Sequence, residues 1–216
     1  MTQTQPSLPE ENRLIVFTRC PEPGRCKTRL IPALGTDGAV AIHKALVRRT
    51  MSWVRDAIDE GLVVEVRYAG DDVESLRLLC DDTADRIKFR AQHGDDLGQR
   101  LAEASATAFE EQVSKVVIVG TDCPQLTLHL ATKAVSLLGR TDIVLGPAED
   151  GGYYLIAIRK PCHQLFTGIV WGGSSVLSDT ICRAAALQMS VVLLPVLADV
   201  DRVEDVRLLN PELVIE

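Results

Sequence analysis

Apolar residues fall along this chain in two alternating patterns. Short unbroken runs come at 14–17, 116–119, 143–146, 155–158 and 191–196, and 62–68 adds a stretch rich in β-branched residues that also carries Glu65 and Arg67. Runs of this length without polar alternation suit strands buried on both faces. Between them lie stretches with helical spacing. In 38–60, Val40, Ile42, Leu46, Val47, Met51, Val54 and Ile58 approximate a 3.6-residue period, with Asp37 placed to cap and Gly61 to stop. A short helix is predicted through Leu76 to Leu79 after Asp71 and Asp72, and a weaker strand over 86–90. Further helices are predicted over 97–111, 126–138 and 176–187, and a short last one opened by Glu204 and Asp205.

Strands and helices therefore alternate from end to end. That order predicts an α/β fold, a three-layer α/β/α sandwich around a largely parallel sheet. Residues 1–12 are polar, carry two prolines and lack periodicity, and are expected to form a disordered tail. No linker interrupts 13–216, so a single domain is expected there. The 216 residues and 46% hydrophobic content suffice for a sizeable core.

Charge narrows the partners. The net charge of −7, with no basic stripe and only 4% aromatic residues, argues against nucleic acid or an anionic membrane surface. No stretch reads as a membrane span and no apolar leader opens the chain, which implies a cytoplasmic protein. The six cysteines form no C-x-x-C pair and are expected to be reduced thiols. A soft-metal site from Cys20, Cys26 and Cys123 is conceivable.

Candidate chemistry sits at strand ends. After the first strand, residues 19–29 read Arg-Cys-Pro-Glu-Pro-Gly-Arg-Cys-Lys-Thr-Arg. Four basic residues stand there on an acidic chain, and Gly24 allows close backbone approach. Arg19, Arg25, Lys27 and Arg29 would suit a phosphate or diphosphate; otherwise the segment is a solvated basic loop. Neither the Walker spacing nor the Gly-x-Gly-x-x-Gly fingerprint occurs. The run 116–119 leads into Gly120, Thr121 and Asp122. Asp122 must be solvated, paired or bound to a cation, because an unpaired buried charge is too costly. It reads either as a metal or ribose ligand or as the cap of a helix starting near Pro124.

Three later segments add to this. Asp150-Gly151-Gly152 implies a tight turn or a backbone pressed against a ligand. Trp171 could cover a sugar or base, or pack in the core. Asp199 or Asp201 follows the last strand, and His93 lies in a polar loop. In a parallel sheet these strand ends converge on one edge. Cations there would meet a diphosphate, and carboxylates would meet Mg²⁺ or Mn²⁺. The expected site has Asp122, Asp150 and Asp201 as catalytic residues, Asp122 and Asp201 as metal ligands, and Arg19, Gly24, Arg25, Lys27, Arg29 and Trp171 against the donor. His93 and Asp201 are the candidates for a general base.

The chain resembles an uncharacterised bacterial family with the glycosyltransferase A fold. The resemblance is carried by Phe17 with Pro21-Glu-Pro-Gly24, Lys27-Thr-Arg-Leu30, Gly120-Thr-Asp-Cys-Pro124 and Gly146-Pro with Asp150-Gly-Gly-Tyr153. Trp171, Asp199-Val-Asp201 and Glu204-Asp205 continue it. Relatives of that family include nucleotide-diphospho-sugar transferases, phospholactate guanylyltransferase and the molybdenum-cofactor nucleotidyltransferases. The resemblance implies a Rossmann-like sheet with one antiparallel strand, a nucleotide over the first-strand loop and a divalent metal on Asp122. It also implies Lys27 and Arg29 as phosphate contacts, with Asp150 and Asp201 as metal or acceptor contacts. The first expectation is a metal-dependent glycosyltransferase using a nucleotide sugar. The alternatives are a nucleotidyltransferase releasing pyrophosphate from a nucleoside triphosphate, and a non-catalytic nucleotide-binding module. The acceptor, a small molecule, and the oligomeric state are not set by the sequence.

Overall fold

The computed structural model describes residues 11–209. The predicted tail at 1–12 falls almost wholly outside them, although Asn12 already belongs to the first strand. Seven strands form one sheet: β1 (Asn12–Arg19), β2 (Val63–Ala69), β3 (Lys88–Ala91), β4 (Lys115–Gly120), β5 (Ile143–Pro147), β6 (Tyr153–Ile158) and β7 (Val191–Leu193). Their order is β3-β2-β1-β4-β6-β5-β7, and only β6 runs antiparallel to its neighbours. The order reverses between β1 and β4, where Phe17 pairs with Gly120. Residues 121–122 therefore leave the sheet beside Thr18 and Arg19, the end of β1 that stays paired to β2 alone, at the switch point where open α/β sheets bind ligands.

Among the described residues five α-helices flank the sheet: α1 (Ile31–Asp59), α2 (Val73–Arg77), α3 (Leu97–Glu110), α4 (Leu128–Leu137) and α5 (Val176–Ala186). Leu14, Val16, Val117 and Val119 pack toward α1 and α4, while Ile15, Val116 and Ile118 pack toward α3 and α5. Strands buried on both faces explain the unbroken apolar runs. A third cluster joins Leu30, Ala39, Ile42 and Leu46 to Val200 and Leu209. It fastens residues 200–209 onto the loop that follows β1.

Several boundaries differ from expectation for local reasons. The first helix starts at Ile31, with Pro32 in its first turn, and kinks at Gly35, whose φ of 70° only glycine adopts freely. Gly35, with ψ 174°, breaks the helix there, so Asp37 stands in the first turn of the main helical segment, close to the start expected for it. The expected strand over 86–90 is displaced to β3 by the 3₁₀ segment Leu78–Arg86. The last strand stops at Leu193 because Pro195 lacks an N–H, yet the chain stays beside β5, with Leu194 N donating to Leu145 O and Leu197 N to Pro147 O. Residues 28–59 contain an 18-residue window whose mean hydropathy reaches 1.2, so by length and composition alone they pass for a span. Their apolar face, however, supplies core residues from Ala39 to Ala57.

Candidate active site

The carboxyl ends of β1 and β4 open onto a cleft of about 810 Å³. Arg19, Arg25, Lys27, Arg29, Asp122 and Asp201 all line it, joined by Asp199, which the sequence left as an alternative to Asp201. Thr18 and Thr121 hydroxyls lie 3.3 Å apart at its floor and couple the two strand ends.

Lys27 is the centre of the arrangement. Its ammonium lies 2.7 Å from Asp122 Oδ1 and 3.3 Å from Asp201 Oδ1, and donates to Val200 O at 2.7 Å. The side chain is only 6% exposed, whereas that of Asp122 is 50% exposed. Burial alone would pull the ammonium's pKa down. The charge of Asp122 and its hydrogen bond, with Asp201 adding, outweigh that and raise it. Lys27 also holds a left-handed backbone at φ 47° and ψ 44°, a conformation that costs energy for a residue with a Cβ. Arg29 completes the chain of charges by meeting Asp201 at 2.8 Å. The backbone secures the carboxylates in turn, since Val200 N donates to Asp122 O.

Asp122 is not a helix cap: α4 begins at Leu128, behind Thr127. That leaves a half-exposed carboxylate at the switch point, paired with a cation. Asp199, beside it, accepts a hydrogen bond from the Cys123 thiol. Burial pushes Asp199 up to about 6; the thiol's hydrogen bond opposes this, and the charges of Asp122, Asp150 and Asp201 reinforce it. The acidic potential is therefore felt across all four carboxylates. Cys123 itself is pushed far up by burial and by Asp199, so it is a neutral donor and no nucleophile at neutral pH.

Hard oxygen donors of this kind suit Mg²⁺ or Mn²⁺. Among the described residues no three His, Cys, Asp or Glu side chains are placed to hold a metal by themselves. Such a donor set fits an ion bound through one or two carboxylates and completed by substrate phosphates and water, and does not fit an all-protein cage. The three cysteines considered for a soft metal have other partners or surroundings, and all six thiols are free.

Other expected residues stand elsewhere. Asp150 Oδ1 accepts from Gly152 N at 2.8 Å, a turn closing on itself. A Cβ on Gly151 would lie 2.0 Å from Ser174 O, so that glycine admits the N-terminus of α5. Trp171 packs on Gly98 and edge-on to Tyr153, with centroids 6.3 Å apart. Neither Asp150, Trp171 nor Gly24 lines the cleft, and His93 is exposed on a second depression of about 690 Å³.

Sequence reasoning passed over four cleft residues. His43, from α1, donates through Nε2 to Arg19 O at 2.9 Å, and burial lowers its pKa, so it is neutral. Gln92 Nε2 donates to Thr18 O and Arg67 O, and its Oε1 receives Arg100 at 3.4 Å. Tyr154 donates to Pro195 O. Their one sequence signal is position: Gln92 and Arg100 flank a loop directly after a strand.

Residues 55–173, more than half of the chain, match the family described as an uncharacterized protein conserved in bacteria, DUF2064. A protein from Desulfovibrio desulfuricans G20, provisionally assigned as a nucleotide-diphospho-sugar transferase, is 33% identical, with a TM-score of 0.85 over 94% of this chain and 87% of that one. The 4-diphosphocytidyl-2C-methyl-D-erythritol synthase of Anaerococcus prevotii is 11% identical, with a TM-score of 0.63 over 94% and 98% of the chains. Rv0371c of Mycobacterium tuberculosis H37Rv, solved with manganese, is 16% identical, with a TM-score of 0.54 over 92% and 97%. These last two show the fold alone. No curated protein matches the sequence. The chain belongs to the DUF2064 family and is a transferase with the nucleotide-diphospho-sugar transferase fold.

Proposed function

We propose that the protein is a metal-dependent glycosyltransferase that takes its sugar from a nucleoside diphosphate. The observation that carries this reading is the Lys27–Asp122–Asp201–Arg29 chain of charges at the β1/β4 switch point. Arg19 adds an exposed guanidinium there. The Desulfovibrio relative's assignment points the same way. In this reading Arg19, Lys27 and Arg29 hold the diphosphate. Asp122, with Asp201 or Asp199 beside it, holds Mg²⁺ or Mn²⁺, which when bound neutralises charge on the departing nucleoside diphosphate. The neutral His43 fixes the carbonyl of Arg19 and so the course of the loop. Covalent catalysis is not required: the Cys123 thiol, although hydrogen-bonded to Asp199, stays protonated.

A nucleotidyltransferase is the second reading. Four cations in the 19–29 loop are generous for a diphosphate and would serve a triphosphate. Thermal shift against nucleotide sugars and nucleoside triphosphates, each with and without Mn²⁺, tests both. Metal-dependent stabilisation by a nucleotide sugar is the expected result. Pyrophosphate release from GTP or CTP with phosphorylated acceptors would favour the second reading. Nucleotide binding that ignores both Mn²⁺ and Asp122→Ala would reduce the protein to a binding module.

A further inference from the structure

We propose that Lys27 is an internal counter-ion that occupies the cation position on Asp122 and makes metal binding depend on a phosphate. This rests on the reading of Asp122 as the metal-holding carboxylate. Three observations carry it. The Lys27 ammonium is 2.7 Å from Asp122 Oδ1 and 3.3 Å from Asp201 Oδ1, so it contacts both carboxylates expected to meet a divalent ion. It is withdrawn from solvent and held from behind by Val200 O at 2.7 Å. Its own backbone is held in the left-handed region to place it there.

A dication entering this position would lie against a fixed ammonium that already neutralises its ligand. Like charges at such separations, away from bulk water, repel strongly. Arg29 meanwhile holds the second oxygen of Asp201. A phosphate changes the balance. It offers the ammonium a new anionic partner and offers the ion new oxygen ligands. Lysine is suited to such an exchange, being a point charge on a flexible four-carbon stem, whereas the forked guanidinium of Arg29 is not. Ordered loading follows: phosphate draws Lys27 outward, and the ion then takes Asp122.

The test is Mn²⁺ binding without nucleotide, followed by electron paramagnetic resonance on the whole chain. Wild-type protein should bind Mn²⁺ weakly. Lys27→Met and the near-isosteric Lys27→Gln should each bind it at least tenfold more tightly, and adding Asp122→Asn to either should remove the gain. The glutamine variant can still hydrogen-bond Val200 O, so it preserves the test if the methionine variant does not fold; circular dichroism checks both. Unchanged Mn²⁺ affinity in the folded variants overturns the counter-ion role. A second arm separates that failure from failure of the metal reading: wild-type protein is titrated with Mn²⁺ at saturating UDP, CDP and GDP in turn. Tighter Mn²⁺ binding with one nucleotide, lost in Asp122→Asn, keeps the metal reading standing whatever the lysine variants do. No tightening with any of them overturns both.

Discussion

The ammonium of Lys27, from the loop after β1, rests 2.7 Å from Oδ1 of Asp122 at the end of β4. The register of the two central strands brings this about, since Phe17 pairs with Gly120 and the two strands part beyond that pair on the same edge of the sheet. The third apolar cluster then presses Val200 and its neighbours against the same loop, adding Asp201 to the pair.

Lys27→Ala should weaken nucleotide affinity by about 1.5–3 kcal/mol, the usual worth of a hydrogen bond to a charged group. Isothermal titration with the nucleotide found by thermal shift measures it. Affinity within error of wild type would show that the loop is merely solvated.

Asp122→Asn should abolish metal-linked nucleotide binding while costing only about 1–2 kcal/mol of stability. The side chain is half-exposed, and Lys27 keeps Asp201 and Val200 O as partners. Urea unfolding gives the stability, and a loss above about 4 kcal/mol would place Asp122 in a structural role.

Asp199 makes stability depend on pH in a direction opposite to most carboxylates. Its pKa is raised from 3.8 to about 6 in the folded chain, so the folded state holds the proton more tightly. The stabilisation is complete below about pH 4 and is lost as pH rises toward 6. Its full size is about 3 kcal/mol at 1.36 kcal/mol per unit. Asp199→Asn should flatten the stability profile between those two pH values. A profile identical to wild type there would contradict the assignment.

The largest loss of stability is expected far from the cleft. Glu65 is wholly buried on β2 among Arg13, Arg67 and Arg90. Glu65→Ala leaves Arg13, Arg67 and Arg90 only the more exposed Glu11, Glu103 and Glu111, and should cost about 3 kcal/mol. Differential scanning calorimetry should show a drop of several degrees, larger than for any cleft variant.

Thiol reagents provide an independent check on burial. Cys20, Cys26, Cys80 and Cys123 are buried, while Cys162 is half-buried and Cys182 exposed. Burial also pushes the Cys20 and Cys80 thiols up to about 11. Native protein should therefore be modified rapidly at Cys182, more slowly at Cys162, and at the other four only after unfolding. Mass spectrometry of the labelled chain distinguishes these sites, and early labelling of Cys26, which lines the cleft, would mean that the loop after β1 opens.

The sequence by itself determined the class of fold and the edge on which chemistry would lie. Unbroken apolar runs such as 116–119 report burial on both faces, and the Gly-Thr-Asp after that run marks a strand end, because a charge there cannot be buried unpaired. Such signals are local, and local patterning survives in one dimension. Tertiary structure decided which strand ends meet. Asp150 sits at a turn as clear in sequence as Asp122, yet it closes on Gly152 and lies outside the cleft. Strand order alone made that distinction, and order depends on crossovers that no short window contains. The pairing of Lys27 with Asp122 and Asp201 was equally unreadable as a contact. It needs a parallel register between β1 and β4 and the docking of Val200 beside Leu30, two long-range associations whose energy comes from burying apolar surface and not from the charged residues they bring together.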